Sequence, residues 1–294
     1  MKFVITGAGG QLGKAFIISL KENNQDFVAF SSKELDITNN NAVLNLFSKH
    51  HFDCIINTAA FTNVDKAETD KDLALNVNAK SLDLISSLCK KYNKKLIHFS
   101  TDYVFSGEDA YPYMPSSETN PINYYGETKL LGERIILSYD FDCLIIRTSW
   151  VFSFHSKNFL TNILNLGKNQ SSISIVNDQY GCPTFAKDIS DAVIKICLSK
   201  RKPKDRLYHL AGSPSTSWFQ FAKKIISSAQ ESSLIDKNLI VNEISSDAYI
   251  SIAKRPNNSV LDSSIILNEF SINELNWEKV VLNEMQNITL ESIY

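Results

Sequence analysis

Four of the chain's ten glycines fall within its first 13 residues. They sit in Thr6-Gly7-Ala8-Gly9-Gly10-Gln11-Leu12-Gly13, directly after the apolar run Lys2–Thr6 and ahead of a helical pattern. A strand that turns at once into a helix around glycines leaves few folds open. Gly7 permits the tight turn, Gly10 lets backbone approach a diphosphate, and Gly13 lets the helix lie close on the sheet. The helix start then presents free N–H groups and the positive end of its dipole to phosphates. Gly7, Gly9, Gly10, Gln11, Leu12 and Gly13 are therefore candidate dinucleotide contacts. An ordinary glycine-rich turn is the alternative.

The next 140 residues keep the alternation going. Lys2–Thr6, Asp26–Phe30, Cys54–Asn57, Lys95–Ser100 and Cys143–Thr148 read as strands. Several are almost wholly apolar, as strands covered on both faces must be. Helical patterns lie between them at Gln11–Asn23, Asn40–His50, Leu73–Lys91 and Tyr125–Tyr139. The expected class is α/β: a Rossmann-like doubly wound parallel sheet with right-handed crossovers, carrying a smaller interleaved C-terminal substrate domain. Residues 1–150 form the cofactor-binding part, with 173–200 returning to it. Residues 151–172 and 201–294 form mainly the substrate part, in which Ser171–Val176 and Leu207–Leu210 read as strands and Ser217–Ala229 as a serine-capped helix.

Charge excludes some partners. The 30 basic and 32 acidic residues give a net charge of −2 and are interspersed, with no basic stripe of the kind nucleic acid requires. The cluster Lys200-Arg201-Lys202-Pro203-Lys204 reads as a solvated loop. No apolar run approaches the ~20 residues of a membrane helix. The five cysteines are odd in number and form no CxxC, which predicts free thiols and a cytoplasmic location.

The end of the second strand bears on the choice of nucleotide. A carboxylate there would hold ribose hydroxyls, whereas Ser31-Ser32-Lys33 suits a 2′-phosphate and predicts NADPH, with NADH left open by the nearby Glu34 and Asp36. A solvated loop lysine is the alternative for Lys33. Further on, Tyr125-Gly126-Glu127-Thr128-Lys129 places a phenol and an amine one helical turn apart. An ammonium beside a tyrosine stabilises its phenolate and lowers its pKa. Ser100-Thr101-Asp102 follows the fourth strand at the carboxyl edge, where such sheets bind ligands. Thr101 can therefore donate to a carbonyl oxygen beside Tyr125. A turn role is the alternative for Ser100 and Thr101. Trp218 and Trp277 read as core packing.

Taken together, these segments resemble the extended short-chain dehydrogenase/reductase family, and within it the branch that reduces dTDP-4-dehydro-L-rhamnose. The resemblance runs essentially end to end: Gly7–Gly13, Asp36-Ile37-Thr38, Asn57–Glu68, Ser100–Gly107, Tyr125–Glu133, Arg147–Phe152, Asp178–Thr184, Tyr208–Trp218 and Arg255–Asp262 follow the family's motifs in order. Thr58 departs from the alanine common there.

The resemblance implies NADPH-dependent reduction of the C4 keto group of dTDP-4-dehydro-L-rhamnose to dTDP-L-rhamnose for cell-surface polysaccharide. It implies Thr101, Tyr125 and Lys129 as the catalytic trio. Thr62, Val64, Ser100, Asp102 and Trp150 would line the sugar pocket, Asp36 and Ile37 the adenine side, and Ala59 and Ala60 the cofactor. Arg255 is a natural clamp for the substrate's diphosphate. A homodimer is also implied, although Lys14-Ala15-Phe16 lacks the carboxylates with which some relatives hold a metal ion at that interface, so no metal is expected. Two alternatives stay open. One is a reductase of another nucleotide-linked 4-keto-6-deoxy sugar. The other is a non-catalytic relative, like the regulatory subunits of methionine adenosyltransferase.

Overall fold

The computed structural model describes residues 1–235 and 239–287, so 236–238 and 288–294 of the expected substrate part lie outside the described residues. Along the chain run β1 (Lys2–Thr6), α1 (Gln11–Glu22), β2 (Asp26–Phe30), α2 (Asn40–Lys49), β3 (Cys54–Asn57), α3 (Val64–Thr69), α4 (Lys71–Leu75), α5 (Ser81–Lys91), β4 (Lys95–Thr101), α6 (Tyr124–Ser138) and β5 (Cys143–Thr148). Then follow β6 (Val151–Phe152), α7 (Phe159–Asn169), β7 (Ser172–Val176), β8 (Tyr180–Gly181), β9 (Thr184–Phe185), α8 (Ala186–Leu198) and β10 (Leu207–His209). The chain continues through β11 (Thr216–Ser217), α9 (Trp218–Glu231), β12 (Ile240–Ile244), α10 (Ser264–Phe270) and α11 (Trp277–Asn287).

Six strands form one parallel sheet in the order β10-β5-β4-β3-β1-β2. Because successive side chains point to opposite faces, each strand feeds two cores. Phe3, Ile5, Ile56, Ile97 and Ile146 pack under α1, α8 and α10, against Phe16, Leu20, Ile189 and Ile266. Val4, Ile55, Leu96 and Ile145 face α2, α5 and α6 on the other side, against Phe47, Leu82, Ile85 and Ile136. Burial on both faces is why these strands read as continuous apolar runs. The doubly wound expectation stands.

The second lobe is built separately. β7 pairs in parallel with β12, and α7, α9 and α11 close over Phe221, Ile225, Trp277 and Val281. The serine cap expected ahead of α9 is present, since Ser217 accepts from the Gln220 amide. β10, which lies within 201–294, is the sixth strand of the large sheet. Among the described residues no helix is long and apolar enough to cross a membrane.

One helix differs from expectation. Leu73–Lys91 is not continuous: a π-helical turn, Asn76–Lys80, separates α4 from α5. Such a turn widens the helix and pushes a side chain out of line. Here that side chain is Asn78, which is fully buried. It accepts from the Phe61 amide (2.8 Å) and donates to the Phe61 carbonyl (3.0 Å) and to Thr128 Oγ1 (3.1 Å). Gly132 of α6 packs on its carbonyl, where a β-carbon would collide. The loop that follows β3 is pinned in this way against α6.

Candidate active site

The carboxyl ends of β1, β3 and β4 lie side by side, with Thr6 opposite Asn57 and Asn57 opposite His98. Three loops therefore meet at one edge. In the first, Gly7 has φ +71°, the left-handed region that glycine adopts without strain. A β-carbon on Gly7 would lie 2.5 Å from the Ala59 amide nitrogen. Gly13 sits against the Gly7 carbonyl and Ala8 so closely that a side chain there would clash with backbone. At Gly9 and Gly10 an added β-carbon would make only ordinary contacts, with Ser31 Cβ at 3.8 Å and the Gly7 carbonyl oxygen at 3.4 Å. No side chain caps the start of α1. This combination, a glycine cradle beneath an uncapped helix N-terminus, fits a dinucleotide diphosphate.

The other expected cofactor positions divide. Leu12 packs at the edge of the core and Ala59 lies beside the Gly7 turn. Ala60, next along that loop, is half-buried. The Gln11 side chain is committed to the protein: its Nε2 donates to the Val151 carbonyl, while Oε1 accepts from Ser153 and Asn158. Ser31 gives its amide and hydroxyl to Glu34 Oε2 at 2.8 and 2.7 Å, which holds that carboxyl below its usual range. Ser32 and Lys33 are exposed. Asp36 accepts from the Thr38 amide and hydroxyl, and Ile37 is buried beneath it. The substituted Thr58 bonds the Thr6 carbonyl at 2.6 Å, tying β3 to β1.

At the next loop Thr101 and Tyr125 come together, and Lys129 follows one turn along α6. Asn123 caps α6 by accepting from the Gly126 amide. Gly126 lets that first turn press on the Tyr103 carbonyl, where a side chain would collide. This contact brings α6 onto the segment after β4. Burial pushes the Tyr125 phenol up to about 12, although the Thr101 hydroxyl beside it pulls the other way. The net shift of the phenol is upward, where the sequence pointed to a lowering. The Lys129 Nζ is drawn to the Phe99 carbonyl (2.6 Å) and to His98 Nε2 (3.3 Å), and burial takes it down to about 8. The phenol is thereby kept protonated.

Around them, the Asp102 carboxyl accepts from the Thr101 hydroxyl at 2.9 Å through Oδ1, while its buried Oδ2 has no hydrogen-bond partner among the described residues. Burial lifts this acid to about 6. The Ser100 hydroxyl donates to Glu133, which pairs with Arg147 at 2.7 Å in the core. It is tied to that ion pair because a buried carboxylate needs its lone pairs filled.

Thr62 is exposed ahead of α3 and Val64 opens that helix. Trp150 has φ +45°, a strained value for a tryptophan. Its ring stacks on Trp218 at 3.5 Å, with Gly181 flat beneath it. Arg255 is held by Asp65 at 3.1 Å, and its buried Nε has no hydrogen-bond partner among the described residues.

Three participants escaped the sequence reading. Asp65 binds the amides of Ile252 and Ala253 as well as Arg255. Trp218 backs Trp150 in addition to its core contact with Phe221. His98 meets Lys129, and its only sequence signal is a polar ring between the apolar Leu96-Ile97 and Phe99.

The chain matches the family model of the RmlD substrate binding domain over residues 1–289. It is 35% identical over 286 residues to a dTDP-4-dehydrorhamnose reductase of Aggregatibacter actinomycetemcomitans, covering 96% of this chain and 97% of the relative. Its fold superposes on the dTDP-4-dehydrorhamnose reductase of Bacillus anthracis in complex with NADP, with a TM-score of 0.89, 33% identity and coverage of 98% and 99%. A dTDP-4-dehydrorhamnose reductase ortholog from Clostridium acetobutylicum gives a TM-score of 0.90 at 31% identity, covering 98% of this chain and 100% of that one.

Proposed function

The chain belongs to the RmlD substrate binding domain family, and from that premise we infer that it is an NADPH-dependent reductase of a dTDP-linked keto-sugar. It converts the C4 keto group of dTDP-4-dehydro-L-rhamnose to the alcohol of dTDP-L-rhamnose, a sugar donor for cell-surface polysaccharide. The observation that carries this reading is the Thr101 hydroxyl beside a protonated Tyr125 phenol, with Lys129 one turn along α6, at the sheet edge that also holds the glycine loop. A non-catalytic relative would have no need to keep all three.

The dihydronicotinamide, when bound, supplies the hydride. The chain's own residues manage position and proton. The α1 N-terminus with Gly9 and Gly10 would hold the diphosphate, and Lys33 with Ser32 the 2′-phosphate. Tyr125 gives its hydroxyl proton to the oxygen that becomes the C4 alcohol. Thr101 exchanges its bond to Asp102 for one to the same oxygen, which fixes where the carbonyl points. Lys129 keeps positive charge one helical turn from the phenol as it loses its proton. Asp102 Oδ2 and the Trp150 ring would meet sugar hydroxyls and face, and Arg255 Nε the substrate's diphosphate. The large sheet with α8 forms the cofactor part, and the lobe of β7, β12, α7, α9 and α11 the substrate part. Four of the five free thiols are buried, which suits the reducing cytoplasm where NADPH is found.

The direct test is NADPH consumption on addition of the keto-sugar nucleotide, prepared with its epimerase. Turnover is expected with NADPH, and no consumption would overturn the reading. Two variants probe the cofactor site separately. Lys33→Ala should weaken NADPH by ~5-fold, as loss of one exposed charge contact does, and leave NADH unchanged. Gly13→Ala forces α1 away from the Gly7 turn. Such overpacking costs ~1–3 kcal/mol, or roughly 5–150-fold in NADPH affinity by fluorescence titration.

A further inference from the structure

We propose that His98 is a positioning residue for Lys129, holding the amine in place and matching its own ring tautomer to the amine's charge state. The proposal rests on the reductase reading.

A row of four polar side chains runs from the carboxyl ends of β1 and β3 across β4 to α6. Thr6 Oγ1 donates to Asn57 Oδ1 at 2.5 Å, Asn57 Nδ2 meets His98 Nδ1 at 3.1 Å, and His98 Nε2 meets Lys129 Nζ at 3.3 Å. Every member is at most 2% exposed. The residues two positions earlier, on the same face of the sheet, are the apolar Val4, Ile55 and Leu96. Burying a polar group in such a core is unfavourable unless every donor and acceptor is matched, so the row has to be read as one unit.

The matching is restrictive. A neutral imidazole has one donor and one acceptor nitrogen, and His98 is held neutral because burial and the adjacent Lys129 charge push its pKa far down. With Lys129 as an ammonium, Nε2 must accept. The ring proton then sits on Nδ1 and faces the Asn57 oxygen, with the amide nitrogen turned to Thr6. With Lys129 as a neutral amine, Nε2 carries the proton and donates to it, Nδ1 accepts from the Asn57 nitrogen, and Thr6 donates to the Asn57 oxygen. That second pattern is the one whose contacts are given above. In both states Phe99 accepts one N–H, and at least one remains for the ligand side.

The other groups near the amine are few. Tyr125 lies one turn back on α6. Glu133 lies one turn on, and its charge is matched by Arg147 from β5. No other element supplies a partner to the amine among the described residues, so loss of His98 leaves only the Phe99 carbonyl.

The test measures the Lys129 titration directly, by NMR of protein labelled with 13Cε-lysine, using a Lys129→Met protein to identify the resonance. In the wild type the amine should titrate near 8. His98→Phe removes an acceptor of the ammonium and should lower that value by ~1 unit. In the same protein kcat should fall ~10-fold or more at neutral pH, and the alkaline limb of its pH profile should move to lower pH by the same amount, with NADPH affinity held within ~2-fold. Activity present below the Lys129 pKa is lost above it, so a lower pKa means an earlier loss. Asn57→Asp should act in the opposite sense. A carboxylate facing Nδ1–H fixes Nε2 as an acceptor, and both the Lys129 titration and the limb should rise. It remains decisive should the phenylalanine protein fail to fold. A folded variant of either kind whose Lys129 titration and pH limb match the wild type overturns the proposal. Wild-type protein without turnover overturns the reductase reading alone, and the NMR titration still judges His98.

Discussion

Tyr125→Phe is expected to bind NADPH as tightly as the wild type and to lose turnover by ~10²–10⁴-fold, the usual worth of a positioned proton donor. The substitution removes one oxygen. The ring keeps its edge-on contact with Tyr103 at 5.9 Å, and α6 keeps its Asn123 cap. With the phenol pushed up to about 12, essentially every molecule holds the proton at neutral pH, so the group is loaded to donate and is a poor base. Single-turnover measurement of NADPH oxidation, beside a fluorescence titration of NADPH binding, separates chemistry from binding. A phenylalanine protein with wild-type turnover would remove Tyr125 from the mechanism.

The second large effect concerns stability. Arg147→Met should destabilise the fold by ~3–5 kcal/mol, because it strands the Glu133 carboxylate in the core with Ser100 as its remaining donor. Arg147 bonds both Glu133 oxygens, at 2.9 and 2.7 Å, and stacks over the Phe105 ring at 5.1 Å. For a domain of this size that loss lowers Tm by roughly 6–15 °C. Replacing both partners, Arg147→Met with Glu133→Leu, should recover much of it, since no buried charge is then left unpaired. Calorimetry of the three proteins checks this. A single variant melting with the wild type would show that the pair contributes nothing.

The sheet could be read from sequence because its strands are covered on both faces, so Phe3-Val4-Ile5 and Leu144-Ile145-Ile146 carry the apolar signal without interruption. The crossing between α4 and α5 could not. The apolar spacing of Leu73–Lys91 is compatible with one helix, and only the buried bonds of Asn78 to Phe61 and Thr128 show why a wider turn is required. The trio proposed as catalytic could be picked out because Tyr125 and Lys129 are four residues apart and Thr101 closes a strand.

The residues behind them were not visible, because their partners are remote in the chain. His98 meets Asn57 across 41 positions, and Asp65 meets Arg255 across 190. A lone histidine in an apolar strand gives no hint of what lies beside it. The upward direction of the Tyr125 shift was hidden for a related reason. Spacing on a helix fixes where two side chains start, but the Phe99 carbonyl and His98 decide where the amine ends.

The most direct measurement runs the reaction with NADPH carrying deuterium at both C4 positions of the dihydropyridine ring and locates the label in the product by NMR. The account predicts dTDP-L-rhamnose with deuterium on C4 of the sugar, bound to the carbon whose oxygen Tyr125 protonates. A product of another configuration, or deuterium at any other carbon, would contradict it.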